Sequence, residues 1–236
     1  MRVAMKLGII GAMHEEVEIL VANLQEKKEQ MLAGSIFYEG CLNGLDAVVV
    51  QCGVGKVNAA MCAQVMCSTY HVDYLVNTGV AGALSNELDI GDILVSIDAI
   101  HHDFDCSPVG YAPCQVPGLD TKAFPAYQGL MAAAFAAAES VNPGHTRMGR
   151  VASGDQFIAG KEIKDKIIML TGADCTEMEG AAIAQVAYRN GVPFVILRAI
   201  SDKADDSAEM DYPTFERIAA HRCAQVVTAF AALLNQ

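Results

Sequence analysis

The sequence predicts an α/β fold, a mixed sheet with helices on both faces, in one domain spanning residues 1–236. Three observations lead there. Continuous apolar runs at 5–11, 74–78 and 194–200 suit strands covered on both faces. Helical spacing follows the first of them, over 14–24, and precedes the second, over 57–70. Asn43-Gly44 lies between two strand-like runs and signals a hairpin, so antiparallel strands interrupt the parallel pattern.

Composition narrows the function. Of 236 residues, 53% are hydrophobic and 19% charged, so a large core is available. The net charge is −12 and no Lys/Arg stripe exists, which argues against a nucleic-acid partner. No apolar run reaches a membrane span. The apolar N-terminus runs straight into His14-Glu15-Glu16 and reads as a first buried strand rather than a leader. Eight scattered cysteines form no CxxC pair, which suits a reduced, cytoplasmic protein.

Taken in order, residues 14–24 carry Val17, Leu20, Val21 and Leu24 on one helical face. Glu15, Glu16 and Glu18 fill the first turn, where the helix dipole favours acids whatever their role. Residues 30–52 alternate around Ala33-Gly34-Ser35 and Asn43-Gly44. Cys52-Gly53-Val54-Gly55-Lys56-Val57-Asn58 fails both phosphate-binding patterns. Lys56 is followed by Val57, Val50 stands where a phosphate loop needs its first glycine, and Asn58 replaces the third glycine of a dinucleotide fingerprint. The segment reads as a structural Gly-rich turn feeding a helix over 57–70. The strand at 74–78 opens into Gly79-Val80-Ala81-Gly82, small residues that let the backbone approach a ligand.

Residues 91–99 form another strand, ahead of His101-His102-Asp103-Phe104-Asp105. Adjacent strand residues point to opposite faces, so His101 and His102 do not share an ion and no metal is expected. The loop to 122 holds Pro108, Pro113 and Pro117, and loops of that length usually carry function. An Ala-rich helix follows at 126–140, then a strand at 146–151 and a helix at 161–170. The last helix, 212–234, places Phe215, Ile218, Ala219, Val226 and Leu233 on a core face.

Residues 172–205 read strand, helix, strand. They bring Glu179 and Asp202 to the carboxyl ends of two strands joined by one crossover, the edge where open α/β sheets bind ligands. Each acid alone could be an ordinary cap or turn residue. Arg198 changes the weighing. A charge inside an apolar strand is costly unless paired, and Glu177, Glu179 and Asp202 are its natural partners.

Met13 with Glu15-Glu16, Asn77-Thr78-Gly79 with Ala81-Gly82, Ser153-Gly154-Asp155 with Phe157-Ile158, Glu177-Met178-Glu179 and Arg198-Ala199-Ile200-Ser201-Asp202 occur in this order. Together they resemble the bacterial 5′-methylthioadenosine/S-adenosylhomocysteine nucleosidases of the purine nucleoside phosphorylase superfamily, over nearly the whole chain. The resemblance implies a three-layer αβα fold with a central mixed, partly barrel-like sheet, phosphorylase/hydrolase-like. It implies cleavage of the ribose–adenine bond by water, releasing adenine for methionine salvage, with no cofactor.

By that resemblance Asp202 protonates the leaving adenine, Glu16 activates water, and Glu179 with the Met178 backbone holds the ribose. Phe157 stacks on adenine and the Ile158 backbone bonds its edge. Met13, Val80, Gly82, Glu177, Arg198, Ser201, Tyr212 and Phe215 complete the substrate-binding set, Arg198 also steadying the acids. Val109, Tyr111 and Pro117 reach from a second subunit, which makes a homodimer the expected partner. The family usually carries Ser where Val80 stands and an aromatic residue at Val109. Three alternatives stay open: a phosphorylase of the same fold, which Glu16 disfavours by repelling phosphate; a nucleosidase for a futalosine-type compound; and a non-catalytic nucleoside sensor, which would need neither acid nor base.

Overall fold

Ten strands and six α-helices alternate along residues 5–235, the part of the chain that the computed structural model describes. Residues 1–4, read above as part of the N-terminal segment, lie outside it. The elements are β1 (Lys6–Gly11), α1 (His14–Asn23), β2 (Gln25–Leu32), β3 (Ser35–Leu42), β4 (Leu45–Gln51), α2 (Lys56–Ser68), β5 (Tyr74–Ala83), β6 (Ile93–His101), β7 (Ala123–Pro125), α3 (Gln128–Val141), β8 (Thr146–Ser153), α4 (Lys161–Thr171), β9 (Cys175–Glu177), α5 (Gly180–Asn190), β10 (Phe194–Asp202) and α6 (Ala208–Leu234).

The strands form one mixed sheet, part of which closes on itself. β5 pairs with β10, β10 with β6, β6 with β8, β8 with β9, and β9 again with β5, making a five-stranded barrel. From β5 an arm extends through β1 and β4, both parallel, into the antiparallel β3 and β2. The hairpin expected at Asn43-Gly44 joins β3 to β4, with Asn43 and Gly44 both at positive φ.

Strand alternation makes the two cores. Leu7 and Ile9 face a cluster built with Leu20, Ala134, Ala220 and Phe230 from α1, α3 and α6. Ile10 faces the opposite cluster, with Ala59, Met66, Ile183 and Ala187 from α2 and α5. The α4 residue Ile167 closes a third, smaller cluster with Ile100, Ala152 and Ile158. Helices thus cover both faces, giving the three layers.

Several expected boundaries move. β5 continues through Gly79–Gly82 to Ala83 instead of opening at Thr78, because β10 and β9 pair with it along that length. The loop after β6 contains a short 3-10 turn at Ser107–Val109, and residues 123–125, between that loop and the Ala-rich helix, form β7. α6 starts at Ala208, ahead of the expected Tyr212, and takes in Pro213. Ile218, expected in the core, is 59% exposed, and Leu233 is also exposed, because α6 packs through Ala219, Ala220, Cys223 and Val226.

The crossover argument also changes. β9 and β10 are not neighbours; β5 lies between them, antiparallel to one and parallel to the other. The carboxyl ends of β9 and β10 therefore point in opposite senses. Their acids meet because both strands flank the same stretch of β5, with Thr176 beside Gly82 and Ile200 beside Ala81.

Candidate active site

One cleft collects the carboxylates at this stretch of β5. Its walls include Met13 and Glu16 from the start of α1, and Val80, Ala81 and Gly82 from β5. Phe157 and Ile158 come from the segment after β8, Glu177, Met178 and Glu179 from the β9–α5 junction, and Ser201, Asp202 and Tyr212 from β10 and α6.

Glu16 is fixed by helix capping. From the third position of α1 it reaches back, and Oε2 accepts the N–H groups of Ala12 (2.5 Å) and Met13 (3.0 Å). Oε1 accepts the Val80 N–H at 3.1 Å. Burial raises its carboxyl above the ordinary value, more than the opposing pull of Arg198 and these amides lowers it. The acid that the dipole alone would explain is therefore also buried and aimed at β5.

Glu177 and Glu179 differ although only Met178 separates them. Glu177 accepts from Arg198 Nη2, Ser153 Oγ and the N–H groups of Glu179 (3.1 Å) and Gly180 (2.7 Å). Burial opposes its charge, but these donors prevail and hold it below the usual carboxylate range. Its oxygens are thus committed to the protein, and Glu177 anchors the wall it belongs to. Glu179, the residue that caps α5, has one bond at 2.8 Å, from the Gly55 N–H to Oε1. Oε2 lies 3.9 Å from Arg198 Nη2. Burial, and then the neighbouring Glu177 charge, push its carboxyl up.

Asp202 accepts Ser201 Oγ–H at Oδ2 (2.8 Å) and the Ala204 N–H at Oδ1 (2.8 Å). Burial raises its carboxyl despite both bonds, with Asp211 and Asp205 adding to the rise. That rise favours the protonated form, the form from which a general acid donates.

The remaining expectations divide. Arg198, expected to touch substrate, is 2% exposed and lies beneath the cleft wall. There it pairs with Glu177, donates to Asn77 Oδ1 at 2.5 Å and faces Glu179. Asp202 is not among its partners; it sits at the end of β10, beyond the register shift after Ile200. Phe215 is half-buried on α6 and does not line the cleft; Tyr212, nearly one turn earlier, does. Tyr212 donates to Met13 Sδ at 3.3 Å and meets Phe157 edge to face at 5.3 Å. Phe157 is 50% exposed, leaving a ring face free for stacking. Val109, Tyr111 and Pro117 are exposed on the loop after β6, away from this chain's own cleft.

Sequence reading missed some participants. Val54, Gln156 and Thr176 line the cleft without having been singled out. Asn77 and Ser153 stood inside quoted motifs but had no role. The Gly-rich turn, read as structural, supplies the Gly55 amide to Glu179. Gly55 has φ 99, so any side chain there is strained. A glycine kept where Val50, Val57 and Asn58 break both phosphate patterns was the signal available.

Known proteins resemble this chain over nearly its whole length. The profile of the phosphorylase superfamily matches residues 6–232. A 5′-methylthioadenosine/S-adenosylhomocysteine nucleosidase of Geobacillus thermodenitrificans is 38% identical over 232 residues, covering 98% of each chain. The Neisseria meningitidis nucleosidase of the same name, solved with methylthio-immucillin-A, superposes with a TM-score of 0.93 at 35% identity, covering 96% of this chain and 98% of that one. A futalosine hydrolase of Helicobacter pylori superposes at 0.91 and 32% identity, covering 96% and 97%.

Proposed function

The chain belongs to the phosphorylase superfamily, and we propose that it is a single-domain nucleosidase that cleaves the ribose–adenine bond of 5′-methylthioadenosine and S-adenosylhomocysteine with water. One observation carries the reading. Glu16 and Asp202 line the same cleft, both buried and both with raised carboxyl pKa.

The roles follow from charge. As the glycosidic bond lengthens, the ribose becomes oxocarbenium-like, and carboxylates beside it stabilise that state more than the neutral substrate. Asp202 gives its proton to the five-membered-ring nitrogen of adenine, so the bonding electrons leave with a neutral base. Glu16 takes a proton from water as its oxygen bonds to the anomeric carbon. Burial that raises the Glu16 pKa makes it a stronger base. Glu179, the carboxylate with an uncommitted oxygen, takes the ribose hydroxyls together with the Met178 backbone. Phe157 stacks on adenine beside Ile158, and Ser201 orients Asp202. Val80 offers an apolar side chain beside the amide that holds Glu16.

We place the protein in the cytoplasm as a homodimer, with Val109, Tyr111 and Pro117 completing the partner's cleft. Among the described residues no helix is long and apolar enough to cross a membrane. The net charge of −12 gives nucleic acid no footing.

The test is incubation with methylthioadenosine, with and without phosphate, and identification of the products. Free adenine and a reducing sugar at equal rates in both are expected. A sugar 1-phosphate would move the chain to the phosphorylases. A futalosine-type substrate, included because of the Helicobacter pylori likeness, tests the tail of the pocket; faster turnover of that compound would replace the assignment.

A further inference from the structure

Three residues outside the cleft tie together two segments that build it. Lys56 opens α2, directly after Gly55. Asp103 lies just beyond β6, and Asp155 just beyond β8, two residues before Phe157. Lys56 Nζ donates to Asp103 Oδ1 at 2.6 Å. The Asp155 N–H donates to Asp103 Oδ2 at 3.0 Å, and the Lys56 N–H donates to Asp155 Oδ1 at 2.8 Å.

The three bonds form a closed triangle, with both Asp103 oxygens used. The Lys56 and Asp103 side chains are each about four-fifths covered, although the Asp103 backbone leaves the residue exposed as a whole. Burial would lift the Asp103 carboxyl, but the Lys56 and Asp155 donors outweigh it and keep it below its ordinary value, so the pair is ionic. None of the three residues lines the cleft.

Each corner leads to a cleft group. From Lys56 the chain steps back to Gly55, whose N–H holds Glu179 Oε1 at 2.8 Å. From Asp155 it steps forward through Gln156 to Phe157 and Ile158. Asp155 Oδ1 lies 3.1 Å from where a Cβ on Gly55 would stand, so the turn and the loop are already in contact. Below, the His102 ring fills the space a side chain at Gly154 would need, and the His102 N–H bonds Ser153 O at 2.9 Å. The Asp155 loop is therefore supported on one side by β6 and on the other by α2.

We propose that Lys56, Asp103 and Asp155 form a positioning latch that sets the Phe157–Ile158 wall against Glu179, and so fixes the spacing between the base-binding and ribose-binding halves of the cleft. The inference rests on the nucleosidase reading for its substrate, but not for its geometry. A loosened latch leaves Glu16, Asp202 and Ser201 in place, since none of them bonds to it. It lets the aromatic wall and the Glu179 carboxylate drift apart. Binding of the base should suffer more than the chemical step.

The experiment uses Asp103→Asn, Lys56→Met and the double variant in the full chain. KM for methylthioadenosine, kcat, the dissociation constant for adenine by calorimetry and the thermal midpoint are measured for each. We expect KM and the adenine constant to rise about tenfold together, with kcat within about threefold, as loss of uniform binding predicts. The double variant should be no worse than Asp103→Asn alone, since the Lys56 ammonium acts on the loop only through Asp103. Asp98→Asn, which breaks the Arg150 pair away from the cleft, should lower the midpoint without changing adenine affinity. Unchanged adenine affinity in both single variants overturns the latch. So does a loss of affinity that merely follows the loss of midpoint, or a double variant whose losses add. Adenine affinity decides the matter even if the wild-type protein fails to turn over methylthioadenosine, a failure that would instead remove the nucleosidase assignment.

Discussion

Gly79 stands opposite Arg198 in the β5–β10 ladder, and the space its missing Cβ leaves is filled by the Glu16 carboxylate and the Arg198 guanidinium. A Cβ there would meet Glu16 Oε1 and would lie 2.8 Å from Arg198 Nη1. The glycine is the joint at which a helix-capping acid and a buried strand cation come together under one cleft.

Gly79→Ala should therefore displace the acid rather than leave it intact. Overpacking of this kind costs about 1–3 kcal/mol. Turnover should fall at least about a hundredfold, as small misplacements of reacting groups do. Urea melts and steady-state assays check both; an alanine variant with near-normal turnover would show that Glu16 is not held by this contact.

Asp202→Asn keeps the shape of the side chain but has no acidic proton to donate. Its kcat should drop by about 10²–10⁴-fold, the usual worth of a general acid. Nucleoside binding, measured by calorimetry, should persist. Because the Asp202 carboxyl is raised, wild-type activity should decline on the alkaline side as pH passes that pKa and the proton is lost. An alkaline limb that survives unchanged in the variant would assign it to another group.

Glu179→Gln should change stability in a pH-dependent way. The Glu179 carboxyl is raised in the folded protein above its ordinary 4.5, so the folded state holds a proton that the unfolded chain releases. Folding is thus penalised progressively as pH rises above about 4.5 towards the folded value. The glutamine variant escapes that penalty. Its thermal midpoint should match the wild type near pH 4 and pull ahead as pH rises, while activity is lost. A difference that stays flat with pH would place the proton elsewhere.

Tyr111→Ala tests the second subunit. Val109 is 73% exposed and Tyr111 is exposed beside it, an apolar pair that one chain leaves in water. If the partner's cleft covers them, truncation should raise KM about tenfold, the scale of an interface anchor. The thermal midpoint should barely change. Light scattering that shows a fully active monomer at assay concentration would rule the arrangement out.

Much of this was readable in the chain. Leu7 and Ile9 alternate with Ile10, and that period alone makes a strand buried on both faces. Asn43-Gly44 marked its hairpin because few residues accept positive φ in succession. Ile218 was misread because helical spacing cannot tell which neighbour covers a face. Arg198 was rightly read as a buried cation in need of acids, but its depth beneath the cleft was not readable, since a side chain's length and direction depend on what packs around it.

The sequence by itself determined the strands and helices, the mixed sheet, and the set of acids that carries the proposed chemistry, because propensity, periodicity and charge inside an apolar run act locally. Only the tertiary structure decided how those acids differ. Glu177 and Glu179 are two residues apart, yet one is held ionised by Arg198 and Ser153 and the other is pushed towards its neutral form. Nothing in Glu-Met-Glu distinguishes them. The difference comes from closing the barrel. That brings Ser153 of β8 and Arg198 of β10 to one carboxylate and leaves the other with a single amide from Gly55, and a carboxyl's pKa is set by the donors and the burial around it.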